Sequence, residues 1–179
     1  MECIQELKIP LDRVGVLVGE KGKIKKNIQR FFDVKLMINS ELGEVEICGE
    51  DGYNVYRCLS VVKAIARGFN PEDAFLLRKD DYNLEVINIS DFCKSKNDLF
   101  RIRARVIGKE GKFRKKVEEL TNCKMIVYGK TVGLIGEIEY LVIAKRAVEN
   151  LLRGSPHANV IRFLEESLVK QKRVLFYKN

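Results

Sequence analysis

The hydrophobic positions in the first part of the chain change period several times, and each change predicts a new element. Residues 2–9 predict a strand, and a short helix over 11–18 follows it. Apolar residues then recur at spacings of three and four over 24–31, which predicts an amphipathic helix with basic residues on its outer face. The segment 34–48 indicates a β-hairpin, and 53–67 indicates a further amphipathic helix.

The same order of elements returns in the second part of the chain. Residues 84–90 predict a strand, and apolar residues at helical spacing over 98–120 predict two helices separated by a glycine-containing break. A hairpin over 124–135 and a helix over 137–153, which Gly154 ends, complete the series. Each copy therefore has the order β-α-α-β-β-α, and the chain is predicted to be an α+β protein built on an internal repeat.

The segments that follow each copy also have the composition of ordered structure. Asn70 is placed to cap a short helix, and Pro71 suits its first turn. A further amphipathic pattern after Pro156 predicts a C-terminal helix. We therefore expect a first domain at 1–69, a connector with a short helix at 70–83, a second domain at 84–155, and a C-terminal helix and tail at 156–179.

Each copy carries the same short motif between its first two helices, in which two glycines bracket a charged pair. The glycines are Gly19 and Gly22 in the first copy, and Gly108 and Gly111 in the second. Glycine permits a close backbone approach and unusual φ values, and amides at the start of the following helix attract a phosphate. Lysines stand within and just after both turns. The repeated motif therefore predicts a site for a nucleic acid backbone.

The second turn lies in the more basic segment. Residues 101–116 hold eight basic residues against one acidic residue, Glu110. Apolar residues before the turn and on the following strand are candidates for a groove that receives bases. The predicted RNA site consists of Arg103, Arg105, Val106, Ile107, Gly108, Lys109, Glu110, Gly111, Lys112, Arg114, Lys115 and Ile126. Two alternatives stay open: the arginines of 101–105 belong to a solvated helix face or a domain interface, and Ile107 and Ile126 belong to the core.

The first turn has weaker basic surroundings, because no arginines stand at the positions that match those of the second copy. It is a second candidate site, for RNA or for protein. This site consists of Gly19, Glu20, Lys21, Gly22, Lys23 and Lys26.

Composition narrows the classes of function. Lys and Arg number 33 against 25 Asp and Glu, and the formal charge of +8 favours polyanionic partners. No segment approaches the roughly 20 apolar residues of a membrane span, and the first residues lack the pattern of a secretory signal. Because the chain has one histidine, five scattered cysteines, no CxxC pair and no carboxylate cluster, we expect no metal, no cofactor and no catalytic centre. The cysteine usage favours a reducing, cytoplasmic compartment.

At this level of detail the sequence resembles a known family. The order β-α-α-β-β-α with Gly-x-x-Gly between the first two helices is similar to the type I KH domain, here present twice in tandem. The segments Val127–Gly136 and Arg153–Leu164 are similar to archaeal and eukaryotic small-subunit ribosome-assembly factors of the "partner of Nob" type. The resemblance covers essentially the whole chain.

This resemblance implies two three-stranded antiparallel sheets, each with helices on one face, and a non-catalytic RNA-binding role. KH domains clamp about four nucleotides of a single strand across the Gly-x-x-Gly turn. The implied RNA is the 3′ region of small-subunit rRNA, and the implied partners are the maturation endonuclease and other ribosome-assembly or translation factors. The alternative is a protein–protein adaptor in an RNA-processing complex, with only one KH domain active on RNA.

Overall fold

The chain forms two compact units, and the division between them falls between Asp80 and Asp81. The computed structural model describes the backbone of residues 3–178 and the side chains of residues 3–174. Each unit contains one three-stranded antiparallel sheet. The predicted α+β class and the predicted order of elements are confirmed in both units.

The first unit places its third strand in the centre of the sheet. Its elements are β1 (Cys3–Lys8), α1 (Leu11–Val18), α2 (Lys23–Phe32), β2 (Lys35–Asn39), β3 (Glu44–Gly49), α3 (Gly52–Ala66) and the short α4 (Pro71–Ala74). The strand order is β1-β3-β2. On β3, Val45 and Ile47 are buried while Glu44 is exposed. Since side chains alternate along a strand, this pattern marks one face for the helices and the other for solvent.

The second unit repeats this arrangement and adds a long terminal helix. Its elements are β4 (Tyr82–Asn88), α5 (Lys96–Ile107), α6 (Lys112–Thr121), β5 (Lys124–Tyr128), β6 (Thr131–Glu137), α7 (Ile138–Leu152) and α8 (His157–Lys178). The strand order is β4-β6-β5. Ile87, Val132 and Leu134 lie on the face that packs against the helices, where they share one hydrophobic core with Val117 and Leu151.

Helix α8 belongs to the core of the second unit. Its side chains Val160 and Leu164 are buried in the same hydrophobic cluster as residues of α6 and α7, and Leu168 is buried further along the helix. Fully burying a leucine or valine side chain contributes roughly 1.5–3 kcal/mol. Packing therefore holds α8 against α6, the helix that follows the second glycine turn.

The boundaries of two elements differ from those predicted, for local reasons. Strand β4 begins at Tyr82, two residues before the predicted start. Helix α5 begins at Lys96 because the side chain of Ser95 accepts a hydrogen bond from the amide of Asp98 at 3.2 Å and caps the helix. In the connector, the side chain of Asn70 accepts a bond from the amide of Asp73 at 2.8 Å at the start of α4.

Candidate nucleic-acid interface

The turn between α5 and α6 has a backbone that requires glycine at its first position. Gly108 has φ +77°, and a Cβ atom placed there would lie 2.7 Å from the amide nitrogen of Phe113. This is shorter than any real contact of a Cβ atom, so a side chain would push the end of α5 away from the start of α6. Gly111 also has a positive φ, of +72°, but its nearest neighbour would be Cε of Lys115 at 3.9 Å.

The residue before the second glycine adopts a left-handed conformation as well. Glu110 has φ 55° and ψ 26°, although it carries a full side chain. In the turn between α1 and α2, Lys21 has the corresponding conformation, with φ 51° and ψ 29°, between Gly19 and Gly22. The two turns thus share one backbone geometry, which the glycine spacing alone does not predict. A left-handed conformation costs a non-glycine residue of order 1–3 kcal/mol, and such conformations cluster at functional sites.

The start of α6 lies next to the second turn and has no side-chain cap, although the amide of Lys112 donates to the carbonyl oxygen of Lys109. The residue before the helix is Gly111, so no side chain caps the first-turn amides. The first turn of the helix contains no acidic residue. Together with the positive end of the helix dipole, these amides attract an anion. Helix α2 begins in the same way after Gly22.

The charged side chains of the predicted site differ in their exposure. Lys109, Glu110, Lys112 and Lys115 are exposed, and the two glycines between and beside them are half-buried. Arg114 is half-buried, and its Nε is a buried polar atom that has no hydrogen-bond partner within the described residues. The structure thus brings three exposed lysines together around the turn and the uncapped helix start.

Two arginines of α5, Arg101 and Arg105, are engaged by the protein itself. Nη2 of Arg105 donates to the carbonyl oxygen of Ser155 at 2.9 Å. Arg101, one turn earlier, forms an ion pair and hydrogen bonds with Asp98. These bonds hold the pKa of Asp98 below its usual value, with a smaller contribution from the backbone amide of Lys94. Arg103 is half-buried on the same helix. Arg105 therefore anchors the segment before α8, a structural role that its position in the sequence did not reveal.

The apolar residues predicted for the groove fall in three different environments. Val106 is fully buried in the core, so its side chain is not accessible to a ligand. Ile107 is half-buried at the end of α5. Ile126 pairs with Gly133 on the face of the sheet that turns away from the helices, whereas Val127 pairs with Val132 on the helix side. The residues of β5 next to the helices are therefore Met125 and Val127, on either side of the predicted one.

His157, the first residue of α8, is a neighbour of the turn that the predicted site does not include. Its Nε2 lies 2.8 Å from the carbonyl oxygen of Arg105, and it donates this hydrogen bond because a carbonyl only accepts. Its ring meets the ring of Phe113 edge to face, with centroids 5.1 Å apart. Its separation of 52 residues from Arg105 explains why no local pattern indicated the contact.

Within the described part of the chain, the side chains form no metal site that would compete with the turn. Among the residues that the structure describes, no group of three or more His, Cys, Asp or Glu side chains is placed to hold a metal ion. No helix within the described range is long and apolar enough to cross a membrane. Burial raises the pKa of the Cys58 thiol to about 12 and raises that of Cys123 as well, so both thiols stay protonated at neutral pH.

Comparison with known proteins places both units in one family. The family described as "Eukaryotic type KH-domain (KH-domain type I)" matches residues 83–168, and the family described as "KH domain" matches residues 4–64. A KH domain-containing protein of Methanocaldococcus jannaschii is 50% identical over 98% of this chain and 78% of its own length. The "Pre-rRNA-processing protein PNO1" of Candida albicans is 34% identical over 87% of this chain and 59% of its own length.

A solved structure is similar to most of the chain. It is the a/eIF2alpha–aDim2p–rRNA complex from Pyrococcus horikoshii OT3, in which one chain is 42% identical, with a TM-score of 0.88 over 94% of this chain and 96% of that chain. The duplicated β-α-α-β-β-α order, the two Gly-x-x-Gly turns and these similarities agree with one another. The chain belongs to the tandem type I KH-domain family of the PNO1 and Dim2 ribosome-assembly factors.

Proposed function

We propose that this protein is a non-catalytic RNA-binding factor of pre-rRNA processing that holds single-stranded RNA on the turn Gly108–Gly111. One observation carries the proposal: the exposed turn stands directly before the uncapped start of α6, with Lys109, Lys112 and Lys115 exposed around it. Backbone amides and lysines at one place are suited to a phosphate, and they require no particular base.

The turn and the adjoining helix act together on the RNA backbone. The absence of a side chain at Gly111 leaves room for a phosphate to approach the amides of the first turn of α6, and Gly108 permits the turn itself. The lysines attract the phosphates by charge. The logarithm of the RNA-binding constant should therefore fall with the logarithm of the salt concentration, with a slope of about −0.7 for each phosphate neutralised. Ile107 and Val127 supply half-buried apolar surface beside the turn for bases.

We propose the 3′ region of small-subunit rRNA as the RNA and the cytoplasm as the place of action. The support comes from the relatives: one is named for pre-rRNA processing, and another is part of a complex with rRNA and a/eIF2alpha. The maturation endonuclease and a translation-factor subunit are the protein partners that this assignment implies. Crosslinking to total cellular RNA tests it, because contacts that map outside small-subunit rRNA would overturn the assignment.

The RNA clamp itself is tested by replacing Lys109 and Glu110 with aspartates. Aspartate tolerates the left-handed conformation at position 110, so the fold should survive, while a negative charge faces the phosphate. We expect the affinity for a single-stranded RNA oligonucleotide, measured by fluorescence anisotropy, to fall by about tenfold or more. The matched control places aspartates at Glu20 and Lys21, which changes composition and charge in the same way in the other turn. Unchanged binding by the first variant would remove the proposed site.

A second candidate function, a protein–protein adaptor role for the first unit, is favoured by the weaker basic surroundings of its turn. The control variant at Glu20 and Lys21 decides between the two roles. An adaptor should keep its RNA affinity in this variant and lose binding to a protein partner, such as a translation-factor subunit. A loss of RNA affinity as large as that of the variant at Lys109 and Glu110 would instead assign RNA to both turns.

A further inference from the structure

A groove of about 620 Å³ adjoins the second turn on the side of α8. It begins at Gly108 and Lys109 and runs between α6 and the start of α8. Ligand sites in proteins commonly enclose about 300–1,000 Å³, so the groove is large enough for a nucleotide. Because Gly108 and Lys109 belong both to the groove and to the turn, a ligand held at the turn has a continuous path into the groove.

The floor of the groove is apolar and aromatic. It is formed by Phe113 of α6 and by His157 and Ile161 of α8. His157 and Ile161 are half-buried, so each presents part of its side chain. The hydrogen bond from His157 to the carbonyl of Arg105 and the edge-to-face contact with Phe113 hold the imidazole ring in one orientation. A ring fixed in this way loses little freedom when a planar base packs against it.

The rim of the groove is basic. Lys112, Lys115 and Lys116 of α6 join Lys109, and Glu119 is the acidic residue among the lining side chains. Glu119 lies 3.6 Å from Nζ of Lys116, an exposed ion pair that costs little to rearrange. Apolar surface below and positive charge above match the two parts of a nucleotide, the base and the phosphate.

The corresponding face of the first unit is occupied by its own chain. There the groove beside α2 is lined by Arg30, Phe31, Phe75 and Arg78. The guanidinium of Arg78 lies 4.8 Å from the ring centre of Phe31 and 5.1 Å from that of Phe75. The aromatic rings of this groove therefore already pack against a cation of the same unit, which a base would have to displace.

We propose that the groove between α6 and α8 binds the nucleotides of the same RNA strand that lie just outside the four held by the turn. This inference rests on the proposed function and extends it to residues of α6 and α8 that the KH motif does not include. The C-terminal helix thereby lengthens the RNA site of the second unit only. RNA is favoured over an acidic peptide because the groove opens directly onto the phosphate-binding turn.

The experiment compares two lengths of RNA on the full chain. The affinity for a four-nucleotide RNA is measured by anisotropy beside that for RNAs extended by four nucleotides at the 5′ or at the 3′ end. Stacking of one base contributes on the order of tenfold in affinity, so extension at one end should strengthen binding by about that factor. A wild-type protein that binds the short RNA and gains nothing from either extension overturns the inference and leaves the proposed function intact. Failure to bind the short RNA contradicts the proposed function itself.

The variant Ile161→Glu tests whether the added nucleotides bind in the groove, and Ala158→Glu is its matched control. Both add one negative charge near the start of α8, but Ala158 is exposed and does not line the groove. Ile161→Glu should abolish the gain in affinity that the longer RNA gives, and should leave the affinity for the short RNA unchanged. Ala158→Glu should keep the gain in affinity. Equal behaviour of the two variants would overturn the proposal.

A milder variant serves if Ile161→Glu disturbs the packing of α8. Lys116→Gln should make the salt dependence of binding to the extended RNA less steep, by about 0.7 in the slope of log affinity against log salt concentration. The slope for the short RNA should not change. Lys130→Gln, on the exposed turn between β5 and β6, is its control and should change neither slope. An oligoglutamate peptide is the final probe: if it binds in a way that depends on Lys116 while RNA extension has no effect, the groove belongs to an acidic protein segment and the proposal fails.

Discussion

Gly108 and Gly111 have φ angles of +77° and +72°, yet only Gly108 is crowded by other atoms. Gly108 has ψ 165°, which with its positive φ lies in a region that is essentially reserved for glycine. Gly111 has ψ 15° and lies in the left-handed helical region, which other residues enter at moderate cost. The lack of a side chain at Gly108 thus permits the tight turn between α5 and α6, whereas at Gly111 it leaves the surface of the turn open.

Alanine at each glycine should separate these two roles. Gly108→Ala should lower the free energy of unfolding by about 3 kcal/mol, because strain and the contact with Phe113 act together. Gly111→Ala should lower the free energy of unfolding by only about 1 kcal/mol, and its main effect should be a loss of RNA affinity. Urea unfolding followed by circular dichroism measures the first effect, and anisotropy measures the second. Equal destabilisation by the two variants would contradict the assignment.

A single residue type is informative where the local backbone decides the conformation. The glycine pairs and the lysines around the second turn could be identified from spacing and composition. The environments of Arg105, Val106 and Ile126 could not, because a bond to Ser155, burial under the turn and strand register depend on residues distant in the sequence. Nothing in the residue type of Glu110 indicates its left-handed conformation.

At the scale of elements, the start of α5 shows how a helix is fixed by its cap. Ser95 accepts a hydrogen bond from the amide of Asp98, and the carboxylate of Asp98 accepts one from the amide of Lys94 at 3.0 Å. The arrangement differs from a capping box, because the carboxylate of Asp98 accepts from the residue before the cap and not from Ser95 itself. Arg101 adds its own bonds to the same carboxylate and lowers the pKa of Asp98.

The stability of this helix start should therefore depend on pH in a defined direction. A carboxyl group whose pKa is lower in the folded state stabilises the fold above its unfolded value of about 3.9, and this contribution is lost as the pH falls through the folded value. Asp98→Asn should have a lower melting temperature than the wild type at neutral pH, and the difference should shrink in acid. A difference that stays constant from neutral pH down to strong acid would contradict the role of the charge.

At the scale of the whole molecule, the chain consists of two units with the same order of elements and different chemistry. Both units bury cysteines: Cys48 and Cys58 in the first, and Cys123 in the second. Burial raises the pKa of Cys58 to about 12, and it raises that of Cys123 as well. Because only the thiolate is a strong nucleophile, both thiols report on the opening of their own unit.

Alkylation with iodoacetamide at pH 8 should distinguish folded from open units. Cys3, which is partly exposed, should react in the native protein, and Cys58 and Cys123 should react only as urea unfolds the unit around each. Mass spectrometry of the labelled peptides along a urea gradient gives the order in which the units open. Reaction of Cys58 at the rate of Cys3 without urea would contradict its burial.

The sequence by itself determined the order of the elements, the duplication, the two glycine turns and the concentration of charge around the second one. These features follow from periodicity and local backbone preference, which act over a few residues. Only the tertiary structure decided what lies beside the second turn. Arg105 and His157 are 52 positions apart in the sequence, and the packing of α8 on the core brings them within a 2.8 Å hydrogen bond. The groove beside the turn is formed in part by this helix, so no local pattern could indicate it.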